Sequence, residues 1–167
     1  MTGVTGSTGA GQKLSETSQF SYRSNNISSY KTLTHQHVAE IEESLHFLQN
    51  DARPKVFFIP WRGDFTRGIY VSALVSSDLS KEQALDLYCA YYEGHPFISV
   101  TTDAISMKSV VNTNRAHIEL NQVGTKLAIH VTIDNLLKGA SGQAVQNFNL
   151  MFAFPEETGL KLKGVIF

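Results

Sequence analysis

A chain of 167 residues with 14 Lys and Arg against 15 Asp and Glu has a net charge of −1 and enough length for one well-filled domain. Its 42% hydrophobic and 17% charged content is that of a globular protein, and a balanced charge with no Lys/Arg run argues against nucleic acid or a membrane surface as partner. No apolar stretch approaches the ~20 residues of a membrane span. No secretory pattern opens the chain, and a single cysteine excludes an internal disulfide, so the cytoplasm is the expected compartment.

The first 29 residues are rich in Gly, Ser, Thr and Asn. Within them Thr5-Gly6-Ser7-Thr8-Gly9-Ala10-Gly11 has the composition of a phosphate loop. Its glycine spacing is the reverse of a dinucleotide fingerprint, and neither a strand before it nor an amphipathic helix after it is visible, which leaves a flexible terminus as the reading from the residues alone. Phe20 and Tyr22 alternate with polar neighbours, so an extended segment is expected between Ser18 and Tyr30. Thr34 is expected to cap a helix carrying Val38, Ile41, Leu45 and Leu48 at helical spacing, ended by Asp51-Ala52-Arg53-Pro54. Val56 to Pro60 reads as a short strand and Gly68 to Ser76 as another.

Ser80 and Gln83 form a capping box that opens a second helix, expected to bury Ala84, Leu87, Tyr88 and Tyr91 and to stop at Gly94 and Pro96. Phe97 to Thr101 is a third strand. Two alternating runs, Ala116 to Leu120 and Leu127 to Ile133, are joined around Gly124 as an antiparallel hairpin. Asp134 is a good N-cap for a last helix reaching about Phe152, followed by a loose tail from Pro155. The pattern predicts an α+β domain: a mixed, mostly antiparallel sheet with helices on one face. No repeat or linker divides residues 1–167.

That last helix carries Gly139, Ala140, Ser141, Gly142 and Ala144 almost in a row. Each interior glycine costs roughly 1 kcal/mol against alanine, so something must approach this backbone closely. Tight helix packing and a ligand at the first turn both satisfy that condition.

Among candidate chemical groups, Thr34-His35-Gln36-His37 stands out. With Thr34 as cap, both histidines fall in the first helical turn, where the dipole disfavours protonation and keeps an imidazole neutral. The pair lies on different helix faces and lacks a third ligand, so no metal site is expected. Cys89 sits in mid-helix with no neighbouring base, and apolar burial is expected to silence it. His117 is explained by a polar strand face shared with Arg115 and Glu119. His46, His95 and His130 show no convincing partners.

The run Asp134-Asn135-Leu136-Leu137-Lys138-Gly139-Ala140-Ser141-Gly142-Gln143-Ala144-Val145-Gln146-Asn147 closely resembles the C-terminal signature of N-acetyl-gamma-glutamyl-phosphate reductases. Aspartate-semialdehyde dehydrogenases carry a looser version. Ser7, Gly9, Ala10 and Gly11 match the family's "SGxSGAG" loop, Tyr30 to Ile41 is similar to its "HRHTPEI" segment, and Phe58 to Ile69 resembles "FTPHLVPMTRGI", with Arg67 and Gly68 matching and Trp61 to Asp64 departing. The likeness runs from the glycine loop to Glu156.

The resemblance implies the C-terminal catalytic and dimerisation part of an NADP-dependent reductase of arginine biosynthesis, with a fold like the glyceraldehyde-3-phosphate dehydrogenase C-terminal domain. It implies His35 or His37 as the general acid/base, His35 favoured and the order reversible. It implies Arg67 on the substrate carboxylate or phosphate. Ser7, Gly9, Ala10, Gly11 and Asn135 would lie at the cofactor. The helix 134–152 would pack on a nucleotide-binding domain absent from this chain, as is the family's "GCYPT"-like cysteine motif, so Met1 is expected to be an artificial or misplaced start. Arg62 has no family counterpart and is left as structural or acyl-group specific. A small-molecule substrate, a homo-oligomer and no metal complete the expectation. The rival readings are an aspartate-semialdehyde dehydrogenase-like enzyme and a non-catalytic dimerisation fragment.

Overall fold

The structure, a computed structural model, describes residues 1–49 and 53–164. Its frame is a seven-stranded sheet in the order β2-β3-β1-β4-β7-β6-β5. These strands are β1 (Thr2–Thr5), β2 (Ser28–Ser29), β3 (Ile59–Arg62), β4 (Ile69–Ser76), β5 (Ile98–Thr101), β6 (Ala116–Val123) and β7 (Lys126–Ile133). β1 and β3 run parallel, as do β5 and β6, and the remaining neighbours are antiparallel. The mixed, mostly antiparallel sheet expected from the strand pattern is present.

The hairpin is as expected. Val123 pairs with Lys126, and Gly124 takes the left-handed φ of 55° that a tight turn demands. β6 and β7 then alternate by the strand period, putting Ile118, Leu120, Leu127, Ile129 and Val131 on one face. Helix α3 (Lys81–Tyr91) lies over that face, its capping box between Ser80 and Gln83 formed as predicted. The stripe it buries is Ala84, Leu85 and Tyr88, with Tyr92 just beyond. The expected Leu87 and Tyr91 are instead turned outward, at 57% and 65% exposure. Cys89 is exposed rather than buried.

The largest departure is at the N-terminus. Thr2–Thr5 contains one branched apolar residue and no period to detect, yet it forms a central strand, paired with β3 on one side and β4 on the other. Its place comes from β3 and β4, each of which would have one edge unpaired without it. Where an extended segment was expected, Phe20–Arg23 forms a single helical turn, α1, and only Ser28–Ser29 is extended. Helix α2 (His37–Leu48) starts three residues after Thr34, with Gln36 in the cap position. Lys31 and Leu33 adopt positive φ, and the N–H groups of Tyr30 and Leu33 donate to Pro60 and Phe58 at the edge of β3, so Thr34 is held in a turn. Asp51 and Ala52 of the expected helix stop lie outside the described residues. β3 begins at Ile59, three residues later than Val56.

Asp134 does cap the last helical segment. Its Oδ1 accepts from the N–H groups of Leu136 and Leu137, each at 2.8 Å. The segment opens as a wide π-helical turn, Leu137–Ser141, in which Gly139 N–H and Ser141 N–H reach back five residues, and continues as α4 (Gly142–Met151). A Cβ on Gly142 would lie 2.3 Å from Asn114 Oδ1, so the close approach inferred from the glycines is made by this chain itself. The tail is anchored as far as Leu160, which is buried, because Asn149 Nδ2 donates to the carbonyls of Glu156 and Thr158.

Candidate active site

β1 delivers the glycine loop to one end of the sheet. After Thr5 the chain winds into a short 3₁₀ turn, Ser7–Ala10, laid against residues 65–68. Gly6 N–H donates to Gly68 C=O, Ser7 N–H to Phe65 C=O and Thr8 N–H to Thr66 C=O, at 2.9, 2.9 and 3.0 Å. A Cβ on Gly6 would sit 2.7 Å from Arg67 N, which is why glycine stands there. Asn135 locks the junction. Its Oδ1 accepts from Gly68 N–H at 2.7 Å and its Nδ2 donates to Thr8 Oγ1 at 3.0 Å, while Thr8 Oγ1 donates to Thr66 C=O at 2.6 Å.

Three segments distant in sequence thus meet at one amide. Ser7, Gly9, Ala10, Gly11, Arg67 and Asn135 are gathered within this junction or beside it. Asn135 is buried with both amide atoms bonded inside the chain, so it acts here as a positioning group. Thr8 was not singled out from sequence, since a threonine among glycines carries no signal of its own. The backbone N–H groups of Gly6, Ser7, Thr8, Gly9 and Gly11 all donate within the chain, so these five are not free to cradle a phosphate. Gly9, Ala10 and Gly11 are exposed and nearly without side chain, a surface suited to a flat, uncharged group.

Arg67 is not a free two-pronged donor. Its Nε lies 2.7 Å from Oδ2 of the fully buried Asp134, and the side chain is 28% exposed. The same carboxylate oxygen accepts from Asn112 N–H at 2.7 Å. Asp134, read from sequence as a cap only, therefore also fixes Arg67.

The histidines lie at the other end of the β1–β3 pair. His35 is buried, its ring edge-on to Tyr30, His37 and Phe58 with centroids 4.7–5.6 Å apart, and Phe58 immediately precedes β3. Because β1 and β3 are parallel, this is the entry end of both strands, whereas the Asn135 junction is at their exit. His35 Nδ1 accepts from His37 N–H at 3.3 Å, which fixes Nδ1 as unprotonated. Burial, then the neighbouring His37 and Lys31, push its pKa below the ordinary value, with Glu40 opposing. It precedes α2 instead of lying in its first turn, so burial takes the role expected of the helix dipole. His37 is exposed, with Glu40 Oε2 4.0 Å from its Nε2.

Other histidines find partners that the sequence did not reveal. His130 Nδ1 lies 2.8 Å from Ser72 Oγ, and the His95 ring meets Tyr92. His117 shares a hydrogen bond with Ser109 Oγ, and burial with Arg115 lowers its pKa. Glu119 is buried, not on a solvated face, and its Oε2 accepts from Ile105 N–H. Among the described residues no group of three metal-ligating side chains comes together.

Residues 1–135 match the model of the semialdehyde dehydrogenase dimerisation domain. The chain belongs to that family. It is 54% identical over 160 residues to the N-acetyl-gamma-glutamyl-phosphate reductase of Flavobacterium johnsoniae, covering 96% of this chain and 49% of that protein. The protein of the same name from Bacteroides thetaiotaomicron is 51% identical over 160 residues, with 96% and 50% covered. The chain thus spans about half the length of the curated relatives it matches. Among solved structures, aspartate semialdehyde dehydrogenase II from Vibrio cholerae superposes with a TM-score of 0.68 at 14% identity, covering 91% of this chain and 54% of that one. That likeness establishes the shared fold.

Proposed function

We propose that this chain is the catalytic and dimerisation part of an N-acetyl-gamma-glutamyl-phosphate reductase, a cytoplasmic enzyme that reduces the acyl phosphate to N-acetylglutamate semialdehyde with NADPH in arginine biosynthesis. The observation that carries this reading is the Thr8–Asn135–Gly68 junction, which unites three segments resembling that family's signatures beside Arg67. Sequence identity near 50% with proteins of that name supports it.

The bound cofactor would supply hydride. Gly9, Ala10 and Gly11, backed by Asn135, fit its flat nicotinamide end, and its phosphates would be held by a nucleotide-binding domain outside this chain. Asn135 holds the loop in place for that contact. The exposed ring of His37 is assigned as the proton carrier, and the buried His35 orients it. This reverses the order favoured from sequence, because a ring whose Nδ1 accepts a backbone N–H and whose neutral form is favoured takes up a proton poorly. Arg67 contributes its terminal nitrogens to substrate while Asp134 fixes its Nε. The nucleophilic thiol would come from outside residues 1–167.

Helix α4 supports the domain assignment. Its inward residues are Gly142, Gln146 and Asn149, while Val145, Phe148 and Met151 point outward at 41%, 51% and 79% exposure. An apolar face turned out over a polar one suits docking against a further domain. A chimera with this chain in place of the corresponding half of the Flavobacterium johnsoniae relative tests the reading. It should reduce N-acetyl-gamma-glutamyl phosphate with NADPH. A folded chimera without turnover overturns the proposal.

A further inference from the structure

Among the described residues, two guanidinium groups near the end of β3 have no carboxylate within ion-pairing distance. Arg23 closes α1 and is buried, at 8% exposure, with Nη2 donating to Gly63 C=O at 2.8 Å. Arg62 ends β3 in register with Thr5, and its Cζ lies 4.1 Å from the centre of the Tyr30 ring. Tyr30 in turn meets His35, with ring centroids 5.5 Å apart. The nearby acid is Asp64, which is exposed, and its Oδ2 accepts from Asn25 N–H at 2.6 Å. Among the described residues neither Arg23 nor Arg62 lies within ion-pairing distance of a carboxylate.

This arrangement costs the isolated chain free energy. Burial lowers the pKa of Arg23, and repulsion from Arg62 lowers it further, against a smaller opposing pull from Asp64. Arg23 is buried and Arg62 half-buried, and a buried charge beside a like one persists where a counter-charge completes it. The face of Arg62 is occupied by Tyr30, which leaves its edge, where the N–H donors lie, to meet a planar two-oxygen anion. Among the described residues, two guanidinium groups against the one exposed carboxylate of Asp64 leave one positive charge in surplus. That balance suits a carboxylate better than a phosphate group, which carries roughly −1.5 to −2 at neutral pH. Arg67, whose Nε lies against Asp134, keeps its terminal nitrogens for another part of the substrate.

We propose that Arg62 and Arg23 form a carboxylate-binding site that takes the non-reacting carboxylate of a small dicarboxylic substrate, with the Tyr30 ring holding Arg62 for it. The assignment of that carboxylate to a substrate rests on the reductase reading; the site itself does not. Trp61 to Asp64 is also where the sequence departs from the resembled "FTPHLVPMTRGI" segment.

The test is a chemical-shift titration of the chain with glutarate, and separately with inorganic phosphate, at matched ionic strength. Glutarate should cause saturable shifts at Arg23 to Asn25 and Arg62 to Asp64. Arg62→Gln should weaken its binding about tenfold or more, the scale of a lost charge-assisted pair of hydrogen bonds. Arg62→Lys keeps the charge but loses the fork, so it should also bind glutarate more weakly than the parent, and it carries the test if Arg62→Gln does not fold. Absence of saturable shifts, unchanged affinity in folded Arg62 variants, or tighter binding of phosphate than of glutarate would each overturn the proposal. Binding is read on the chain itself, so a chimera without turnover and a chain without this site are separate results.

Discussion

Arg67 Nε sits 2.7 Å from Oδ2 of Asp134, a carboxylate with no exposure to solvent. That one side chain accepts from Leu136, Leu137 and Asn112 N–H groups and holds the arginine at the site. It closes β7, caps the turn that leads to α4 and fixes a candidate substrate contact. Asp134→Ala should therefore lower stability by about 3 kcal/mol, the sum expected for a lost cap and a broken, partly buried ion pair. Asp134→Asn keeps an acceptor oxygen and should cost less. Urea unfolding of the three proteins checks the order.

The two glycines of the signature helix should respond oppositely to alanine. At Gly142 a Cβ would fall 2.3 Å from Asn114 Oδ1 and 2.9 Å from Leu137 C=O, so Gly142→Ala should destabilise by about 1–3 kcal/mol despite alanine's better helix propensity. At Gly139 the nearest atom is Asp134 O at 3.4 Å, an ordinary contact, and Gly139→Ala should be neutral or stabilising by up to ~1 kcal/mol. Thermal melts of both variants separate the packing role of Gly142 from the permissive one of Gly139.

Where local chemistry decides structure, the sequence is a good guide. The Ser80 capping box, the Gly124 hairpin and the Asp134 cap depend on near neighbours, and each forms where the residues place it. Elements decided by distant partners are poorly legible. β1 is a central strand because β3 and β4 flank it, and nothing in Thr2–Thr5 announces that. Helix α2 starts late because Tyr30 and Leu33 are held to Pro60 of β3 and to Phe58 just before it, far along the chain. The same division runs through the site. Its segments could be found by motif, but the wiring of Thr8 to Asn135, and of Arg67 to Asp134, is tertiary and has no sequence period.

Burial of His35 gives stability a defined pH dependence. Its folded pKa lies below the ordinary 6.5, so the unfolded chain binds the proton more readily, and the group favours the folded state above that value. That stability is lost as pH falls below 6.5 toward the folded pKa. His117, lowered by burial and Arg115, acts in the same direction. The melting temperature should therefore drop between pH 7 and pH 5. His35→Gln should flatten the drop in part, and His35→Gln with His117→Gln should flatten it more. An unchanged slope in the double variant would show that neither imidazole is the proton-linked group.

Asn135 offers a check on whether the junction is a working part of the site. With both amide atoms bonded to Gly68 and Thr8, Asn135→Ala should cost about 1–3 kcal/mol of stability by leaving a buried N–H unpaired, and it should loosen the glycine loop. In the active chimera the same substitution should raise the KM for NADPH more than it lowers kcat. Cys89→Ser, at an exposed mid-helix position, should change neither quantity. Loss of turnover in Cys89→Ser would mean that this thiol, and not one outside the chain, takes part in the chemistry.

Assembly is the last expectation. The outward face of α4 carries Phe148 and Met151, joined by Phe152 just beyond it and by Phe154, whose ring stacks on Phe148 with centroids 6.0 Å apart. On the sheet, the face away from α3 presents Leu74 at 66% exposure beside Tyr70, Ser72 and His130. Patches of this kind are normally covered, and a two-fold copy is the simplest closed way to cover a sheet face. The chain studied alone should therefore form a homodimer or larger species, without reductase turnover. Light scattering at micromolar concentration measures the first, and NADPH formation from N-acetylglutamate semialdehyde with phosphate the second. Leu74→Glu should shift the equilibrium toward monomer, because a carboxylate on each copy would be desolvated at the contact. Met151→Glu should leave dimerisation intact, since α4 is assigned to a different partner surface. Equal disruption by both substitutions would place α4 within the subunit contact and remove its assignment to a nucleotide-binding domain.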